Sequence, residues 1–518
     1  MTVRLPGAEP PRALHSPHAC MSHGNATEIS PIKLTRLAAV PAAAEVSRGR
    51  VTSLARSSGV AIVGGVLSQA LKALVIMYVA RQFGATGFGS FSFAFSINAF
   101  LYIIAQFGLP TLGAREIAQQ GALPRSLAGA ITRARMVLAL CSMAVVIAIV
   151  SASQSISREE LWLVIGFALS NVALAGFSDW IFQGLHRLHG WAVLNVCWQG
   201  FWLVLVLAIA HWHGSIALVA FAYAAAALLA SAIGWLWLGR TAASQSEYVT
   251  GYSVGSVLRS GAHLGTGTIL STSLVWSDTI IVRLMAGAHG AGLYAAGNRA
   301  ALALGMLAGF YMQGAFPVLA RASAEGRDKY ARHFQQAYNN MAVLFVPVAV
   351  WSVIYAPELI RLVFKQPEYL AAVRVFQLFQ GVFLLTMIAV VLYGLGGLLA
   401  CREDGSYRRR LFAATIVLLV SCPALAYRWG IEGAAVAALL SLSVLLVLFE
   451  QKVRAFVTPK HGRALLLPAL CGLAAGVLSK EAHLAVIPSG LLLLLGYAAL
   501  GIYVKLSRPV LAGHAGGA

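Results

Sequence analysis

The sequence predicts an all-α, polytopic membrane protein of about 14 transmembrane helices, built as two parallel six-helix lobes with two helices appended at the C-terminus. Three observations predict it. First, hydrophobic residues make up 59% of the 518 and charged residues only 11%, with mean hydropathy +0.77, whereas soluble chains carry roughly a quarter charged residues. Second, apolar runs of the ~20 residues that cross a bilayer recur along the chain. Third, one glycine-rich signature occurs twice, six expected helices apart. The composition excludes a disordered chain, a disulfide-stapled secreted domain and an ordinary soluble enzyme. Cys20, Cys141, Cys197, Cys401, Cys422 and Cys471 are scattered without a CxxC pair, as small side chains inside apolar helices would be.

The expected spans are 57–80, 90–113, 134–152, 161–183, 191–212, 216–238, 263–287, 293–320, 337–360, 371–400, 411–427, 431–450, 464–482 and 484–505. They divide the chain into a basic tail (1–56), an N-lobe (57–239), a linker (240–262), a C-lobe (263–455) and an accessory segment with a short tail (456–518). An even number of spans puts both ends on one side. That side collects 28 of the 38 Lys and Arg residues and the other only seven, so by the positive-inside rule both termini are expected in the cytoplasm. The net charge of +20 is thus a topology signal, and no nucleic-acid partner is expected. The tail contains Met21, a plausible start, and an Asn25 sequon whose cytoplasmic side argues against glycosylation. It has no apolar stretch able to form the core of a signal peptide.

After the first span the chain reads Gly84-Ala-Thr-Gly87-Phe-Gly89-Ser-Phe91, and after the seventh Gly287-Ala-His-Gly290-Ala-Gly292-Leu-Tyr294. The pattern G-A-x-G-x-G-x-[FY] recurs at an offset of 203 residues. Six helices is an even number, so the halves enter the membrane from the same side, a plan used by secondary transporters with a site between the repeats. A looser echo follows in Pro110 to Arg115 and Pro317 to Arg321. Neither turn is a phosphate loop, and no G-x-x-x-x-G-K-[ST] occurs, so no nucleotide cofactor is expected.

Charge inside the spans is rare, and each instance is a functional candidate because an ionisable group in hydrocarbon must be paired or face water. Lys72 and Asp278 are each about 15 residues into the first span of their half, which predicts equal depth. Lys72 shares a helix face with Gln69. The pair is read either as the wall of a hydrated passage, with Lys72 holding an anionic group, or as an ion pair locking the lobes, with outward snorkelling of Lys72 a further reading. Arg283 is expected to snorkel to the interface. Arg299, beside Asn298, is read as cavity lining or an interfacial anchor, and Asp179 as a helix-end residue or a substrate contact. His211 and His213 flank Trp212 without a third ligand, so no metal site is expected. Most of the Trp and Tyr residues are expected in interfacial belts and in helix packing.

Ala80 to Phe91, Phe107-Gly-Leu-Pro110, Arg115-Glu-Ile-Ala118, Asp179-Trp-Ile-Phe-Gln-Gly184, Asp278-Thr-Ile-Ile-Val and Phe316-Pro317 together resemble the Wzx-type oligosaccharide flippases of the multidrug/oligosaccharidyl-lipid/polysaccharide exporter superfamily. The likeness runs over residues 55–400 and weakens beyond. It implies two lobes that alternate between inward- and outward-open states in the cell inner membrane. It also implies translocation of undecaprenyl-diphosphate-linked oligosaccharide between leaflets, without a cofactor, beside partners that are the lipid bilayer and polysaccharide-assembly proteins. Lys72, Gln69, Asp278, Arg299 and Asn298 would meet the substrate, Asp278 would couple a proton, and Asp179 and Arg283 are secondary candidates. The rivals are a drug or small-molecule exporter of the same superfamily, an integral-membrane glycosyltransferase or polymerase, and a scaffold of a glycan-assembly complex. The longest outer connection, near 361–370, is short for the catalytic loop such an enzyme needs.

Overall fold

A computed structural model describes residues 48–121, 123–212, 214–241, 251–459 and 462–493. Most of the basic tail with Met21 and Asn25, His213, the linker core at 242–250 and the end of the last expected span at 494–505 lie outside these residues. Among the described residues the chain has no strand. Among the described residues nine helices are long and apolar enough to cross a membrane.

Helix α1 (Arg48–Gln106) and helix α8 (Val254–Glu325) each run out and back across the fold, because each contains one glycine with non-helical backbone. Gly84 has φ 64°, ψ −176° and Gly287 has φ 71°, ψ −177°. A side chain at such a positive φ would be strained, and glycine alone adopts it freely. The repeated signature therefore encodes a repeated backbone corner. Helix α12 (Asp404–Val453) turns in the same way at Trp429 and Gly430.

Between the first two doubled rods lie α2 (Leu109–Gln120), α3 (Arg125–Ala152), α4 (Arg158–Ala175), the short α5 (Asp179–Gly184), α6 (Leu188–His211) and α7 (Ile216–Thr241). After α8 come α9 (Arg327–Ile354), the short α10 (Ala356–Phe364), a 3-10 turn at Pro367–Ala372 and α11 (Val373–Leu385), which continues as a π-helix over Thr386–Leu399. After α12 comes α13 (Gly462–Glu481). Helix α4 packs on α7, α7 on α6, α8 on α12 and α13 on α9. The three doubled rods explain how nine long helices carry more spans than nine.

The looser echo is not a repeated corner. Phe107 and Gly108 have positive φ and end α1 before Pro110, whereas Pro317 lies within the continuous α8. The position 203 residues after Gly108 is Tyr311, which lacks the freedom of glycine.

Rows of apolar side chains face outward, as in Val137, Leu140, Val145 and Ile149 of α3, which are 44–64% exposed. In water such rows would be a liability. Along a helix whose backbone is internally hydrogen-bonded they are a lipid-facing surface. The face carrying Gly84, Gly287 and Gly430 is called here the corner face, and the opposite one, rich in Lys and Arg, the basic face.

Candidate site between the lobes

The corner face is closed where the two lobes meet. A Cβ on Gly89 would lie 1.7 Å from the Ala288 carbonyl oxygen, and one on Gly292 would lie 1.8 Å from that of Ala85. Gly89 and Gly292 are 203 residues apart, as are Ala85 and Ala288. The contact is thus reciprocal, as a pseudo-two-fold axis between parallel repeats requires.

Below this contact four side chains share one level. Lys72 is twelve residues before Gly84 and Phe95 eleven after it; Trp276 is eleven before Gly287 and Arg299 twelve after it. At 1.5 Å per residue all four are about 17–18 Å beneath the corner face, near the middle of a ~30 Å hydrocarbon layer. The Lys72 ammonium is 5.0 Å from the Phe95 ring centre and the Arg299 guanidinium 5.7 Å from it. Arg299 also lies 4.2 Å from the Trp276 ring. Phe95 is fixed by Phe91, Phe167, Trp202 and Tyr223 of its own lobe and touches Trp276 of the other at 5.8 Å. One cation from each lobe therefore sits on one ring.

Cation–π contact offsets desolvation only in part, by about 1–2 kcal/mol, and no carboxylate pairs with Lys72 or Arg299 among the described residues. One Arg299 guanidinium nitrogen, Nη2, and the Gln69 amide oxygen are buried without a partner. Buried polar atoms are rarely left so; the Arg299 donor calls for water or an anion, and the Gln69 oxygen for a donor such as water.

Other expected site residues fall elsewhere. Asp278 is not level with Lys72: the two corners set the register, and Asp278, nine residues before Gly287, lies about 4.5 Å nearer the corner face. It forms no ion pair with Lys72. Its carboxylate accepts from the Tyr294 hydroxyl at 2.7 Å and from the Thr279 N–H at 2.6 Å, and it is 2% exposed. Asp278 is thus held inside the C-lobe, within electrostatic range of Arg299. Asn298 is buried.

Arg283 does not snorkel. Its guanidinium grips both carboxylate oxygens of Glu160 in the other lobe, at 2.5 and 2.6 Å, because Glu160 is presented at the start of α4 on the corner face. Asp179 is a helix-end residue: its Oδ1 accepts from the Trp180 N–H at 2.8 Å at the start of α5, and it is electrostatically coupled to Arg135.

Besides Glu160, three participants do not stand out in the sequence. Arg135, counted among the cytoplasmic cations, is 1% exposed. It donates to the carbonyls of Leu174 and Phe177 at the end of α4, where helix carbonyls lack partners. Replacing Arg135 with alanine is expected to lower stability by roughly 2–4 kcal/mol through orphaned carbonyls. This would appear as a lower melting midpoint of detergent-extracted protein, and an unchanged midpoint would contradict the capping role. Trp276, which the sequence does not single out, stands mid-membrane between the lobes; its proximity in sequence to Asp278 was the available signal. The segment after the ninth span is longer than expected. It runs over residues 355–372 and is folded against the other lobe: the Glu368 carboxylate accepts from the Ala85 N–H at 2.7 Å, and Arg81 donates to the Val363 and Leu362 carbonyls at 2.7 and 2.9 Å.

Gly261 and Gly265 of α8 press on Phe107 and Leu109, and a Cβ on Gly59 of α1 or on Gly309 or Gly314 of α8 would meet nothing within 4 Å.

The sequence model of the family described as polysaccharide biosynthesis protein matches residues 54–323, just over half of the chain. The chain belongs to this family. Among solved structures, the chain is similar to a multidrug resistance MATE family transporter of the MOP superfamily in an inward-facing conformation (TM-score 0.56, 14% identity, 75% of this chain and 95% of that one). It is also similar to the same kind of transporter in an outward-facing conformation (TM-score 0.54, 14% identity, 80% and 99%). The lipid II flippase MurJ in an inward closed conformation has TM-score 0.56 at 10% identity, covering 82% of this chain and 98% of that one. No curated protein matches. The family resemblance drawn from the sequence is borne out, as is the all-α polytopic fold. This polysaccharide biosynthesis family member is an integral, multi-pass membrane protein, and the solved proteins that share its fold are transporters and a flippase.

Proposed function

We propose that this family member translocates lipid-linked oligosaccharide, carried on undecaprenyl diphosphate, from the cytoplasmic to the periplasmic leaflet of the inner membrane by alternating access. The observation that carries the proposal is the pair of cations, Lys72 and Arg299, one from each lobe at a single mid-membrane level on Phe95, neither in an ion pair among the described residues. A diphosphate cannot enter hydrocarbon unaided. Two cations in a partly desolvated passage offset its charge, and charge-assisted hydrogen bonds are the strong ones. The orphaned Arg299 Nη2 supplies a further donor to an anion.

With the basic face toward the cytoplasm, the closed corner face is periplasmic and the headgroup is received from inside. The exposed apolar side chains Val60, Val63 and Leu67 of α1 suit a lipid tail that stays in the membrane while the headgroup swings. Asp278, held by Tyr294 and Thr279, acts through the field it exerts on Arg299. Proton coupling at Asp278 belongs to the same proposal.

The same geometry disfavours export of cationic drugs, which would meet two like charges while the neighbouring carboxylate, Asp278, is buried. Deleting the gene separates the readings. Loss of a surface glycan, with lipid-linked sugar accumulating on the inner leaflet, is the expected result. Unchanged glycan with new drug sensitivity would overturn the proposal.

A further inference from the structure

The corner face is closed by two seams that a strict two-fold would make equivalent, and they are built from different chemistry. At the Gly84 corner the break leaves main-chain groups without helical partners, as any helix end does. The C-lobe supplies those partners. The Tyr369 hydroxyl donates to the Ala80 carbonyl at 2.9 Å, the Gln366 amide to the Arg81 carbonyl at 2.6 Å, and Glu368 accepts from the Ala85 N–H. Arg81 reciprocates on the last carbonyls of α10. A dry aromatic cluster of Phe88, Phe364 and Tyr369 backs this corner, each 2% exposed or less.

At the Gly287 corner nothing comes within 4 Å of a Cβ. The seam on that side is held by Arg283 on Glu160, with a longer contact from Arg283 to the Ser155 carbonyl at 3.3 Å. Its two charged groups regain water when parted at the membrane face. Glu160 also keeps local partners, Ser90 and the Ser157 N–H of the capping box at the start of α4, at 3.1 and 3.0 Å.

We infer that the two seams have different roles: the Gly84 corner, completed by residues 366–369, stays shut as a hinge, while the Glu160–Arg283 seam parts as the gate. Opening the first strands several main-chain groups beside an aromatic core. Opening the second separates ions that rehydrate. The lobes then swing about the Gly84 corner, and the passage opens to the periplasm on the α4 side. The inference rests on the two-lobe reading above but on no particular cargo.

Glu160→Gln is a clean probe, since glutamine at this position also closes a capping box and the start of α4 is kept while the ionic grip is lost. Nitroxide pairs would be placed across each seam at exposed positions, Gln154 with Leu284 for the gate and Thr86 with Lys365 for the hinge, in a background without native cysteines. Distances are read by double electron–electron resonance in lipid nanodiscs. In Glu160→Gln, and again in Arg283→Gln, the gate pair should gain a longer-distance population, a rise on the order of tenfold, as the loss of about 1.4 kcal/mol gives. The hinge pair should keep one distance throughout. A hinge pair that lengthens with the gate pair, or a gate pair unchanged in both variants, would overturn the inference. Either result leaves the choice of glycolipid cargo untouched, because no cargo is present.

Discussion

Replacing Lys72 with alanine is expected to reduce translocation by roughly 10- to 100-fold, and replacing Arg299 by as much or more, while both proteins remain folded. The magnitude follows from the ~1.5–3 kcal/mol of one hydrogen bond to a charged group. The retention of fold follows from the surroundings. Lys72 has no acidic partner among the described residues, so its removal strands no carboxylate and leaves Phe95 held by four rings of its own lobe. Arg299 is stacked on Trp276 and carries an orphaned nitrogen, so its loss removes a buried cation that nothing in the protein fully satisfies. The effects of the two should combine less than additively if one diphosphate bridges them. The readout is surface glycan in cells carrying each variant, with membrane expression and monodispersity as controls. Normal glycan with Lys72→Ala would contradict the proposed role of the cation pair.

The second large effect is on the contact between the repeats. Gly89→Ala or Gly292→Ala places a methyl group where a backbone carbonyl oxygen already lies, 1.7 or 1.8 Å away. The obstacle is main chain, so no rotamer change relieves it, and the lobes must separate at the corner face. Overpacking of this kind costs about 1–3 kcal/mol. Gly292→Ala should be the more severe, because the Ala85 backbone it meets is pinned by Glu368. A lowered melting midpoint for both variants is expected, with the larger drop at Gly292. Two unaltered midpoints would show that the repeats do not meet there.

The repeat was legible because its signature serves a local need. A sharp corner requires glycine at positive φ, so Gly84 and Gly287 are visible as residue types at fixed spacing. Lys72 and Arg299 were legible for a similar reason: a charge inside an apolar run has few harmless explanations. The partner of Arg283 was not. Glu160 is 123 residues away in sequence, at the edge of an expected span, and pairing across lobes leaves no mark in either helix. Arg135 was misread because a cation near a helix end looks the same whether it faces water or caps buried carbonyls. The depth of Asp278 was misjudged because span ends were counted from the apolar boundary; counting from the two corners would have put it one turn off from Lys72. The stretch at 361–370 reads as an outer connection between spans, and only the main-chain groups freed at the Gly84 corner explain why the segment folds where it does.

The central claim is that a cation from each lobe carries a diphosphate headgroup through the membrane. Its most direct test is purified protein in proteoliposomes loaded on one leaflet with undecaprenyl-diphosphate-linked sugar, with headgroup arrival at the other leaflet followed by a membrane-impermeant lectin or hydrolase. Arrival is expected with wild-type protein and its loss with the double variant Lys72→Ala, Arg299→Ala. Equal translocation by wild-type protein and the double variant, or none by wild-type protein that is folded and inserted, would contradict it.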